Sequence, residues 1–81
     1  MTDRSLLARI TSNPSVLSGK PTVRGTRLSV EFLLILLAHG ATETKILSEY
    51  EGLVAEDLAT CLLFASKSLE NTTFMPLAEA A

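Results

Sequence analysis

Apolar positions are unevenly spread along the chain, and the densest run is Ser29-Val30-Glu31-Phe32-Leu33-Leu34-Ile35-Leu36-Leu37-Ala38-His39-Gly40. Between Val30 and Ala38 only Glu31 is polar. Ser29 is a suitable N-cap, Glu31 lies favourably in the first turn, and Gly40 is a natural stop. The residues between are mostly strong helix formers, so the pattern predicts a helix. A surface helix shows one apolar stripe, whereas this one is apolar nearly all round. It is therefore expected to be a buried central helix that a second chain helps to cover, with Phe32, Leu33, Leu36 and Leu37 as core or dimer positions. A membrane span takes ~20 apolar residues, which this run does not reach.

Two more helices follow. Thr42 is an N-cap for a helix on which Ile46, Leu47 and Tyr50 share a face, and Gly52 ends it. After Leu53 a third helix is expected from about Ala55 to Leu69. Leu58, Cys61, Leu62, Ala65 and Leu69 would form its buried stripe, and Phe64 would face outward as an interface residue. Residues 1–13 fit either one helical turn through Leu6, Leu7 and Ile10 or an edge strand over Ala8 to Thr11. Asn13-Pro14-Ser15 is a turn, and Ser15 to Leu17 suits a short strand. The expected fold is mainly α: a three-helix, helix-turn-helix-like core over residues 1–70 with a short N-terminal β element, followed by a tail over 71–81.

With 81 residues, 47% of them hydrophobic, the chain has the length of one domain and the composition of a globular protein. So small a domain buries only about 60% of its unfolded surface, so partners would help stabilise it. Cys61 is the only cysteine, which suits a reducing cytoplasm, and the N-terminus lacks the apolar run of a signal peptide. The net charge of -2 conceals a split: residues 1–30 carry +4, and residues 31–81 carry -6. A basic front on an acidic body suits an anionic partner, self-association of front to body, or ordinary solvated charge.

The front culminates in Gly19-Lys20-Pro21-Thr22-Val23-Arg24-Gly25-Thr26-Arg27-Leu28. Two glycines and a proline define a backbone path from which three cations project. A phosphate-binding P-loop would need Ser or Thr directly after Lys20, where Pro21 stands, so a nucleotide site is excluded. Lys20, Arg24 and Arg27 together suit contact with carboxylates or phosphates, although any one of them could simply pin the loop to carbonyls or to an acid on the body.

Catalytic chemistry finds little support. His39 suits the C-terminal end of the central helix, Cys61 a buried inert thiol, and one of each cannot supply a zinc ligand set. Glu56 and Asp57, adjacent on a helix, point apart. Neither an enzyme, a cofactor nor a small-molecule substrate is expected. Major-groove reading by the third helix is disfavoured too, because carboxylates at its leading end would repel phosphates. Phe74, Met75 and Leu77 around Pro76 suit either a frayed terminus or a segment that docks on a partner.

Ile10, Asn13-Pro14, the Gly19–Leu28 segment, Val30, Gly40, Ile46-Leu47, Tyr50, Leu53 and Asp57-Leu58 occur in the order and spacing that resemble the small bacterial domain-of-unknown-function family number 433. The resemblance covers about Ile10 to Leu69. It implies a β element before a three-helix, homeodomain-like core. It also implies a type II antitoxin that masks a PIN-like ribonuclease toxin. The positions matching the core motif are Lys20, Arg24, Gly25, Thr26 and Arg27. The expected partners are thus a second copy and a toxin docked by Phe74, Met75 and Leu77, with DNA regulation as the alternative function and no membrane. Two departures stand out: Ser29 where such chains commonly have Pro, and Val54 where they commonly have Thr or Ser. Since Val54 cannot cap, the third helix is expected to start raggedly or under a partner.

Overall fold

The computed structural model describes residues 2–73. The elements run α1 (Asp3–Leu7), β1 (Ile10–Thr11), a 3-10 turn (Leu17–Gly19), β2 (Thr22–Val23), α2 (Val30–Ala38), α3 (Glu43–Glu49) and α4 (Ala55–Ser68). β1 and β2 form a two-stranded antiparallel sheet with Ile10 opposite Val23 and Thr11 opposite Thr22. The fold is mainly helical, with this small sheet near the N-terminus, and α4 packs against α1, α2 and α3.

Local chemistry explains the helix limits. Ser29 Oγ accepts the Phe32 N–H at 2.9 Å to start α2. At its other end the Gly40 N–H donates to Leu37 O at 3.1 Å and the Ala41 N–H to Leu36 O at 3.0 Å. These two bonds form a Schellman stop, with Gly40 in the left-handed conformation (φ +92°). Thr42 Oγ1 caps α3 by accepting the Lys45 N–H at 3.1 Å. The start of α4 is ordered although Val54 has no side-chain acceptor. Asp57 Oδ2 accepts the Val54 N–H at 2.9 Å, which supplies the reverse half of a capping box from the third helical residue.

Val23, Val30, Leu33, Ile46, Leu53, Leu58 and Cys61 form the buried core, which joins the sheet to α2, α3 and α4. α1 closes over α4 through two long-range ties. Thr60 Oγ1 donates to Leu6 O at 3.0 Å, and Arg9 Nη1 donates to Asp57 Oδ1 at 3.1 Å.

Three expectations are corrected. Residues 15–17 are not a strand: an Asx turn, with the Ser15 N–H on Asn13 Oδ1, reverses the chain, and Leu17 and Ser18 take φ of 50° and 57°. On α4 the buried face is rotated. Asp57, Leu58, Thr60 and Cys61 point inward while Leu62 and Leu69 lie exposed, because polar ties to Arg9 and to Leu6 O turn Asp57 and Thr60 toward the N-terminal segment. Phe64 follows that rotation and packs half-buried against the core. Last, α2 is not enclosed all round. It buries Val30 and Leu33, keeps Leu36 and Leu37 half-buried, and leaves Phe32 37% and Ile35 46% exposed.

Candidate functional site

The basic segment is a hairpin whose loop closes on itself. The Val23 N–H donates to Leu28 O, the Val30 N–H to Pro21 O, and Thr22 forms an isolated antiparallel bridge with Ser29. Within the loop the Thr26 N–H donates to Val23 O at 3.0 Å, with Gly25 at φ +80°, the backbone that glycine adopts at the third position of a type II turn. Thr26 Oγ1 donates to Val23 O at 2.8 Å and accepts the Leu28 N–H at 3.0 Å. Gly25 and Thr26 thus hold the turn.

The three cations of this segment have different neighbours. Lys20 Nζ pairs with Glu31 Oε1 at 2.7 Å, and that contact holds the Glu31 carboxyl below its ordinary value, chiefly through the hydrogen bond and then through charge. Arg24 and Arg27 are exposed, and among the described residues no acid pairs with either. Arg24 lines a polar depression with Arg9, while Arg27 lines a mainly apolar one beside Leu17 and Phe32. The cations therefore project to separate sides of one hairpin.

An apolar concavity lies between α2 and α4. Leu34, Ile35 and Ala38 form one wall and Phe64, Ala65 and Leu69 the other, enclosing about 660 Å³, with Lys20 and Glu31 at one end. Ile35 and Leu69 are 46% and 61% exposed. This groove arises where the outward part of α2 meets the rotated face of α4. Beyond it, the solvent side of α4 presents Ala55, Ala59, Leu62 and Ser66, an uncharged strip of about three turns. An outward helix face ordinarily carries charged residues.

Other singled-out residues have local roles. Phe32 meets Tyr50 edge to face, with ring centroids 5.7 Å apart. Leu33 is fully buried in the core. His39 is the C-cap residue of α2, where its backbone N–H donates to Ile35 O at 3.0 Å. Cys61 is fully buried, and burial, followed by the nearby Asp57 charge, pushes its thiol up to about 11. Phe74, Met75 and Leu77 lie outside the described residues. Arg9 and Asp57 were missed as a pair because 48 positions separate them, although Asp57 at the third position of a helix was a legible capping signal.

A family model described as "Protein of unknown function (DUF433)" matches residues 10–65. A crystal structure of a DUF433 member protein from Anabaena variabilis is similar, with a TM-score of 0.73 and 31% identity over 83% of this chain and 66% of that one. The present chain thus spans just under two thirds of that protein's length. No curated protein matches.

Proposed function

The chain belongs to the DUF433 family, and from that premise we propose that it is a non-catalytic interaction protein, an antitoxin that binds and masks a PIN-like ribonuclease toxin. The supporting observation is the apolar groove between α2 and α4, whose walls expose Ile35 and Leu69. Removing the exposed parts of these two side chains from water would stabilise a complex by roughly 1–2 kcal/mol each. The partner class comes from the motif resemblance, and an apolar segment of the toxin is the occupant proposed for the groove. Homodimerisation belongs to the same reading, because the buried apolar core among the described residues is small for a chain of this length.

Co-expression with a neighbouring PIN-like open reading frame is the test. The two proteins should co-purify, with toxicity relieved, and Ile35→Asp with Leu69→Asp should abolish both effects while the chain still melts cooperatively. Co-purification unaffected by the double substitution, or its absence from the unaltered pair, would overturn the proposal.

A second reading, DNA binding with autoregulation, is favoured by Arg24 and Arg27, which are exposed and form no ion pair among the described residues. The uncharged outer face of α4 weighs against its reading the major groove. Arg24→Ala with Arg27→Ala should lower the salt dependence of promoter binding. No gel shift at low salt, with or without toxin, would dismiss this reading.

A further inference from the structure

The register of the small sheet has a consequence for charge. Beyond the Ile10–Val23 pair the Arg24 N–H donates to Arg9 O at 2.7 Å, which extends the ladder by one step. Arg9 and Arg24 therefore stand opposite each other across two antiparallel chains, a placement that is destabilising for like charges. Both line the same depression of about 490 Å³, together with Ser5, Ala8, Gly52 and Val54.

One anion in the depression already pairs with Arg9 and not with Arg24. Asp57, with its side chain 4% exposed, places Oδ1 at 3.1 Å from Arg9 Nη1 and gives Oδ2 to the Val54 N–H at 2.9 Å. Ser5 Oγ is also committed, since it donates to Thr2 O and accepts the Thr2 N–H. Arg24 has no acid partner among the described residues. Among the residues that line the depression, two guanidinium charges face one carboxylate, one negative charge short of balance.

We infer that the Arg9–Arg24 depression receives one carboxylate, the Asp or Glu side chain of a protein partner, held by the Arg24 guanidinium. A guanidinium fork matches a carboxylate in a two-bond geometry, and a singly charged group restores neutrality. A phosphate backbone has the same local chemistry but suits the surroundings less. Glu51 and Glu56 flank Gly52 and Val54 in the sequence, and neither forms an ion pair among the described residues, so the segment that lines the depression adds negative charge, which disfavours a polyanion more than a single carboxylate. This inference rests on the protein-binding reading for the identity of the ligand but uses residues apart from the groove.

The test uses the isolated chain, so that it does not depend on the toxin. Sodium acetate, sodium phosphate and a DNA duplex are titrated separately at ionic strength matched with chloride, while nitrogen–proton NMR follows the Arg9 and Arg24 Nε–H and the Gly52 and Val54 amides. Acetate should shift these signals saturably. Arg24→Met should weaken the effect about tenfold or more, and Arg24→Lys should restore part of it. No shift beyond the chloride control, or equal shifts in Arg24→Met, would overturn the inference. A response to the duplex or to phosphate without one to acetate would overturn it in favour of a phosphate ligand. Loss of co-purification in the groove variant with the acetate response intact would separate the two sites.

Discussion

Substituting Asp57 should be among the most damaging single changes in this chain, although its carboxylate serves only structure in this account. Asp57→Ala removes the acceptor for the Val54 N–H at the start of α4 and the partner of Arg9. Losing a helix-start interaction of the capping type costs ~0.5–2 kcal/mol. A hydrogen bond to a charged group contributes ~1.5–3 kcal/mol. The Arg9 side chain is 37% exposed and can turn to water when Asp57 is gone, so the lower part of that range applies. The total is about 2–4 kcal/mol, a large share of the ~5–15 kcal/mol typical of a folded domain. For a chain of this size it lowers the melting temperature by roughly 10–25 °C. Urea unfolding followed by circular dichroism is the assay, and the midpoint should fall at constant slope. Asp57→Asn, which retains an acceptor for the Val54 N–H, should cost about half as much. A double-mutant cycle of Asp57→Asn with Arg9→Met should show a coupling of about 1 kcal/mol. An Asp57→Ala cost below about 0.5 kcal/mol, or strict additivity in the cycle, would refute the reasoning.

The remaining expectations concern α4 and its neighbours. Thr60→Val removes the one hydroxyl proton shared between Leu6 O and Glu56 O and should cost about 1 kcal/mol, with faster amide exchange confined to α1; unchanged exchange there would contradict the tie. The Cys61 thiol, raised from 9.0 to about 11 by burial, stays protonated longer in the folded than in the unfolded chain. Its contribution is therefore complete below pH 9 and is lost as pH rises toward 11, on the order of 2–3 kcal/mol in all. Cys61→Ala should remove that alkaline decline, and equal slopes in the two proteins over this interval would contradict the assignment.

What could be read from the residues alone followed from local chemistry. Ser29 and Gly40 bound α2, Thr42 starts α3, and Gly25 marks a turn, because each acts within a few positions of itself. The buried face of α4 was misjudged for the opposite reason. Hydropathy favours Leu62 and Leu69 inside, but Asp57 and Thr60 turn inward to meet Arg9 and Leu6 O across about fifty positions. Exposure of Phe32 and Ile35 likewise depends on how much of α2 the other elements cover. The basic segment was legible as a cluster, yet its pairing of Lys20 with Glu31 and the separation of Arg24 from Arg27 depend on the hairpin's path. The apolar groove was not legible, since neither wall forms it without the other.

Hydrogen exchange on the chain alone and bound to its co-expressed toxin examines the groove most directly. The account predicts that the complex slows exchange in residues 34–38 and 64–69, the two walls that carry Ile35 and Leu69. Slowing found only elsewhere, with both walls exchanging as in the free chain, would contradict it.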